Sequence, residues 1–356
     1  MAGGPRAHLP TGGAPRPGRR GTARGHHVSI TALALGVVLA APPARPKLST
    51  IEPQVRAVAE RFRGRLGYHI QDLTTGEVIA HRSTERFPSA STIKTVLMFE
   101  AARQIDKGEL TWDTTVPLPP VAERNSSQWA YYLREGLSIN VDALTNLMMN
   151  VSDNTATVVL GEKLGLLRIN QTLQEMGYQD TAYTVRVPET ETRLWRLRRQ
   201  FANMGVTSPQ EMARFLLMID RGGVLSEAAH DRMRRILAKQ YWDDWVMGTV
   251  PSDVVVLSKV GALNRHRSEI AIVKGPRPYL VAIYTDNQAD QRWVAENEGD
   301  QAIIRIGTLL WNHMHPERPY QPPPNAKVFG PTGGGVTGRV SPLAAELGGG
   351  PGPSIQ

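Results

Sequence analysis

Phe87-Pro88-Ser89-Ala90-Ser91-Thr92-Ile93-Lys94 is the stretch on which the reading of this 356-residue chain turns. It holds the chain's one Ser-x-x-Lys and opens a helix predicted over Ser91 to Asp106, with Lys107-Gly108 as its stop. The i,i+3 spacing puts Ser91 and Lys94 on one helix face. Ser91 falls in the first turn, where unsatisfied N–H groups and the helix dipole favour developing negative charge. A serine hydroxyl is a poor nucleophile until a base takes its proton. A lysine can be that base when burial and nearby positive charge depress its pKa. The same residues also read as an ordinary helix cap followed by a surface lysine.

Working outward, Ser152-Asp153-Asn154 lies 61 residues beyond Ser91, between helical runs at Val141 to Met149 and Thr155 to Leu164. A serine beside an asparagine can move a proton and hold an amide, although all three residues are also helix caps. Lys259-Val260-Gly261 stands 107 residues further on, read as the end of a β-rich run Val254 to Lys259. A lysine at a strand edge attracts carboxylates, and glycine admits close approach to the backbone.

The remaining periodicities place these segments. Val55 to Arg63 reads as a helix, and Leu66 to Asp72 with Val78 to Arg82 as a hairpin turning at Thr74-Thr75-Gly76. Helices follow at Leu167 to Met176, Ser208 to Arg221 and Ser226 to Lys239. Strands follow at Ser268 to Val273 and Tyr279 to Thr285, and a helix at Ala302 to Met314 closes the series. Strands at both ends bracket helices in the middle. The expectation is an α/β protein of the α+β type: a sheet flanked by helices, an all-helical part, and a site in the cleft between them. The α/β part covers about 50–85 and 250–316, and the helical part about 86–249.

Ser-x-x-Lys, Ser-Asp-Asn and Lys-x-Gly in this order and spacing resemble the penicillin-recognising serine enzymes, and most of all their class A β-lactamase branch. The flanks agree: Leu144 to Met149 before the second motif, Thr155-Ala156 after it, and Glu269-Ile270-Ala271-Ile272-Val273 after the third. The resemblance covers most of residues 50–316 and implies an antiparallel five-stranded sheet. It implies Ser91 as the acylated nucleophile, Lys94 as its base and Ser152 as the proton relay. It also implies Asn154 on the substrate's side-chain amide, Lys259 with Gly261 at the substrate carboxylate, and an oxyanion hole from the N–H groups of Ser91 and Ala262. No metal or cofactor is implied. The substrate would be a β-lactam or a peptidoglycan-like amide, the enzyme a monomer, and the outcome β-lactam degradation and antibiotic resistance.

Two departures bear on that expectation. Val260 stands where the family has Thr or Ser, removing a hydroxyl from the carboxylate site; one charge-assisted hydrogen bond is worth about 1.5–3 kcal/mol. Val187-Pro188-Glu189-Thr190-Glu191-Thr192-Arg193-Leu194-Trp195 is the candidate for the family's Glu-x-x-Leu-Asn segment, which holds the hydrolytic water. Glu191 fits the glutamate, but Trp195 replaces the asparagine; Glu189 fits in a shifted register, and both glutamates can be read as solvated loop residues. Acylation machinery is expected to be complete and deacylation machinery impaired. The alternatives are a penicillin-binding or peptidoglycan-processing enzyme with slow release, and a non-catalytic cell-wall binding module.

Composition sets the bounds. Hydrophobic residues form 41% and charged residues 21%, enough for a sizeable core. Absence of cysteine excludes disulfides, zinc–thiolate sites and thiol nucleophiles. The net charge of +8 hints at nucleic acid, but five arginines lie before an apolar stretch Val28 to Ala41, and no acid precedes Glu52. That pattern is a secretory signal over 1–40 with cleavage after Val38-Leu39-Ala40, which lowers the charge to +3 and removes the nucleic-acid argument. Arg19-Arg20 hints weakly at twin-arginine export, and His8, His26 and His27 fall in the same segment. The mature protein is expected in the bacterial envelope or medium, with no stable membrane insertion. From 317 to 356 the chain reads as a disordered Pro/Gly-rich tail.

Overall fold

The computed structural model describes residues 46–321 except 127, 202 and 203. The expected signal segment and nearly all of the Pro/Gly-rich tail lie outside these described residues. α1 (Glu52–Arg61), with proline in its first turn, buries Val55 and Ala59. β1 (Arg65–Asp72) and β2 (Val78–His81) form the expected hairpin, with Gly76 at φ +80° in its turn. β3 (Phe87–Pro88) leads into a 3-10 turn, Ala90–Ile93, and then α2 (Lys94–Asp106). Ser91 therefore lies in a tight turn ahead of the α-helix rather than in its first turn, as 3-10 segments commonly precede helices.

β4 (Thr115–Pro117) and β5 (Ser138–Asn140) make a two-stranded ribbon before α3 (Val141–Asn150), α4 (Asn154–Leu164) and α5 (Leu166–Glu175). Next come β6 (Ala182–Tyr183), α6 (Thr192–Phe201) and β7 (Gly205–Thr207), β7 pairing with both β3 and β6. α7 (Pro209–Arg221) and α8 (Glu227–Leu237) start at Ser208 and Ser226, whose side chains accept from the N–H groups of Glu211 and Ala229. β8 (Val256–Leu263), β9 (His266–Val273), β10 (Tyr279–Asp286) and α9 (Glu298–Met314) complete the order.

The main sheet runs β2-β1-β10-β9-β8, antiparallel throughout. β10 shows how it is buried on both faces. Leu280, Ala282 and Tyr284 join the cluster built on α2, α3, α4 and α7, whereas Tyr279, Val281 and Ile283 pack with α1 and α9. A period of two in a continuous apolar run thus supplies two cores.

Two further expectations need correction. β8 does not end at Lys259; it continues to Leu263 because Gly261 and Leu263 stay paired with Ser268 and His266. Glycine weakens a strand locally, but the ladder carries it through. The Val187 to Trp195 region is not all loop. α6 begins at Thr192, and its Leu194 and Leu197 pack on Ala182, Val187 and Val206. Leu194, Leu197 and Phe201, at i, i+3 and i+7, do carry a helical spacing, which the comparison of this stretch with a water-holding loop passed over.

One buried ion pair ties β1 to the start of β10. Arg277 donates from Nε and Nη2 to Asp72 Oδ2 at 3.0 and 2.7 Å, and both side chains are almost fully buried. Burial pushes the Asp72 carboxyl up, but bonds from Arg277, Thr74 and Thr75 outweigh it and hold its pKa below the usual carboxylate value. Removing the cation leaves a buried charge without its partner. Arg277→Met is expected to lower the unfolding free energy by about 3–5 kcal/mol in urea titrations; a parent-like midpoint and slope would contradict this.

Candidate active site

Three segments converge between the sheet and the helical part: the 3-10 turn with Ser91 and Lys94, the Ser152–Asn154 loop between α3 and α4, and Lys259 to Ala262 on β8. Lys94 is fully buried. Its Nζ donates to Ser152 O at 2.6 Å, to Asn154 Oδ1 at 2.8 Å and to Ser152 Oγ at 3.1 Å, matching the three donors of an ammonium. Burial and then the Lys259 charge push its pKa well below the ordinary lysine value, against the pull of Asp153. The partner set suits the neutral amine too. Two protons stay on the carbonyl oxygens, while the Ser152 hydroxyl can reverse and donate to the nitrogen.

Lys259, also fully buried, reaches the same hydroxyl. Its Nζ donates to Ser152 Oγ at 3.2 Å and to Val260 O at 3.0 Å, and the Gln240 amide, with its nitrogen on Asn150 O, offers its oxygen at 3.3 Å. Burial pushes the Lys259 pKa down to about 7, partly opposed by Glu269. Ser152 Oγ therefore bridges two ammonium groups whose burial makes each easy to deprotonate.

The Ser152 backbone sits at φ +60°, a left-handed conformation that costs a non-glycine residue about 1–3 kcal/mol and clusters at functional sites. Gln128 braces it, donating from Nε2 to Ser152 O at 3.1 Å and accepting from the Asn154 N–H. Asp153 is the helix cap, accepting from Ala156 N at 2.9 Å and from Ala130 N at 2.8 Å. Ser-Asp-Asn thus divides its contacts: the middle residue caps, and its neighbours face Lys94.

Ala90 is likewise left-handed, at φ +44°, directly before Ser91. Ser91 is half-buried, and its hydroxyl has no hydrogen bond among the described residues. A Cβ on Gly261 would lie 2.9 Å from Ser91 N and 2.7 Å from Ser268 Oγ, so only glycine lets β8 lie against this turn. The next residue, Ala262, is half-buried beside it. Val260 pairs with Glu269 and packs with the apolar cluster of α1 and α9.

Glu191 is not brought into this cluster. It is half-buried at the N-terminus of α6, where its carbonyl accepts from Trp195 N at 2.8 Å. The Trp195 ring packs on the cluster of Val187, Leu194 and Leu197. Glu189 is exposed. Gln128, Gln240 and the buried Arg124 were not anticipated. Arg124 donates to Pro119 O at 2.8 Å and to Ala130 O at 3.2 Å, shaping the loop that presents Gln128. Nothing in their sequence spacing marks them, because their partners are backbone groups of folded loops and, for Gln240, the distant Lys259 as well. Among the described residues no cluster of metal-binding side chains occurs, and no helix is long and apolar enough to cross a membrane.

The model of the Beta-lactamase enzyme family matches residues 50–314. A β-lactamase of Streptomyces fradiae is 29% identical over 309 residues, covering 79% of this chain and 94% of that protein. The Pseudomonas aeruginosa β-lactamase PSE-4 is 24% identical over 280 residues, covering 75% and 91%. Among solved structures, a β-lactamase from Sphaerobacter thermophilus superposes with a TM-score of 0.65 at 24% identity, over 76% of this chain and 99% of that one. PBP-A superposes at 0.63 with 21% identity, over 76% and 97%. These two share the fold. With all three motifs assembled around one buried lysine and the family match spanning them, the chain belongs to the Beta-lactamase enzyme family.

Proposed function

We propose that this protein is an exported, monomeric serine hydrolase that opens a β-lactam amide through an acyl-enzyme on Ser91, with antibiotic resistance as the consequence. The observation that carries this is Lys94, buried, depressed in pKa and held by Ser152 and Asn154 one helical turn from Ser91. Neutral Lys94 takes the proton of Ser91 Oγ as that oxygen bonds to the carbonyl carbon. The N–H groups of Ser91 and Ala262 hold the oxyanion. The ring C–N bond then breaks, and the nitrogen takes its proton from Ser152 Oγ, which Lys94 replenishes. Asn154 holds the side-chain amide. Lys259 binds the substrate carboxylate without help from a hydroxyl at Val260, beside Gly261. Residues 41–316 form the catalytic unit, with Ala41 at its start after signal cleavage, and neither nucleic acid nor metal takes part.

Release of the acyl group is the slow step in this reading. Glu191, half-buried where Glu189 is exposed, is the carboxylate assigned to the water, and its place outside the Lys94 cluster adds to the slowness of release. Trp195 cannot orient the water, because the indole has one donor and no acceptor and its ring is committed to an apolar cluster. That favours long-lived acylation, as in a penicillin-binding enzyme, over rapid turnover.

Three outcomes follow. Ser91→Ala and Lys94→Ala are each expected to abolish the penicillin adduct seen by mass spectrometry while leaving the fold intact, since nucleophile and base act as a unit; parent-rate hydrolysis by Ser91→Ala would reject the site. A chromogenic cephalosporin is expected to give a burst of about one product per enzyme and then a slow phase. Glu191→Ala should slow that phase further and Trp195→Asn should speed it, and linear kinetics indifferent to both changes would refute the assignment. Finally, kcat/KM should rise with pH as Lys94 loses its proton and fall as Lys259, its pKa pushed down to about 7, loses its charge. Lys259→Arg, which stays charged, should remove the alkaline limb; a limb that persists belongs to another group.

A further inference from the structure

The turn before Ser91 and the β8 peptide after Gly261 meet at a second serine outside the three motifs. Ser268, on β9 opposite Gly261, is fully buried. Its Oγ lies 3.3 Å from Gly261 O, 3.4 Å from Ser89 O and 3.0 Å from His266 Nε2. Gly261 O belongs to the same peptide unit as the Ala262 N–H. Ser89 O belongs to the turn that carries left-handed Ala90 and then Ser91, and it also accepts from Thr92 Oγ1 at 2.7 Å. One oxygen atom thus touches the supports of both N–H groups assigned to the oxyanion hole.

Its proton has a determined direction. His266 Nδ1 faces Thr285 O, which can only accept, so that nitrogen carries the ring proton. Burial pushes the His266 pKa down to about 3, leaving a neutral ring whose Nε2 accepts. The Ser268 hydroxyl therefore gives its one proton to His266, its shortest contact, and meets Gly261 O and Ser89 O without a hydrogen bond, as a spacer between the two peptides in the space that a side chain at Gly261 would fill.

We propose that Ser268, oriented by His266, is a positioning residue that sets the separation of the Ser91 and Ala262 N–H groups across the oxyanion hole. The proposal rests on acylation at Ser91. The test compares Ser268→Ala and Ser268→Thr with the parent for three quantities: the acylation rate constant with penicillin, the non-covalent dissociation constant from its saturation, and the affinity for a boronic acid, whose oxygen occupies the oxyanion position. Losing an oxyanion donor outright costs about 100- to 1000-fold, so displacing one is expected to cost roughly 10-fold. Ser268→Ala should lose that factor in acylation rate and in boronate affinity, with non-covalent binding unchanged, and Ser268→Thr should recover most of it. A merely structural serine would lower Tm and leave both quantities at parent values, which would overturn the proposal. Should Ser268→Ala not fold, the same quantities in His266→Asn decide in the same way. If the parent itself forms no adduct and binds no boronate, the Ser91 reading has failed rather than this one.

Discussion

Desolvation of Lys94 is the constraint on which the site depends. An ammonium with no exposed surface is costly to bury, and three oxygens around Nζ offset that cost. Two of the three come from Ser152, and the third from Asn154. Left-handed backbone at Ser152 brings its carbonyl and hydroxyl to bear on one nitrogen, so the strain and the solvation are one arrangement seen from two sides. Gln128 on one flank and Asp153 on the other keep the loop from relaxing to a cheaper conformation that would leave the lysine bare.

A second cation shares the hydroxyl. With Lys94 and Lys259 both on Ser152 Oγ, each ammonium raises the cost of charging the other. Glu269, pushed up to about 8 by its own burial, supplies only partial relief. It is occupied instead with Val246 N–H at 2.8 Å, holding the segment that leads back to Gln240. The charge balance of the cleft is therefore set partly from behind the sheet.

What the sequence made legible follows from what spacing can encode. Ser91 with Lys94, Ser152 with Asn154, and Lys259 with Gly261 each sit within one turn or one strand step, so local periodicity fixes their relation. The strand predicted over Tyr279 to Thr285 was legible because the run is apolar from Tyr279 to Tyr284, ordinary in length for a strand and short for a buried helix; its burial on two faces is seen only in the fold. Gln128, Gln240, His266 and Ser268 were not visible. Each acts through a partner on another element, and no residue pattern within its own segment distinguishes it from a surface amide or a core polar group. The helix α6 was legible in the spacing of Leu194, Leu197 and Phe201, whereas the β6 and β7 residues on which that face packs were not.

The central strand pairing has a consequence in time. Asp72 pairs with Tyr279 and Arg65 with Asp286, so β1 waits for a partner made some two hundred residues later. At roughly 5–20 residues per second of synthesis, that interval is about 10–40 s. Until β10 exists, β1 and β2 have only each other, and an isolated hairpin is marginal in water. The helical middle can gather early through local contacts, but the sheet against which Ser91 is set cannot. Ser91 is thus among the first residues of the site to be made and among the last to acquire its environment.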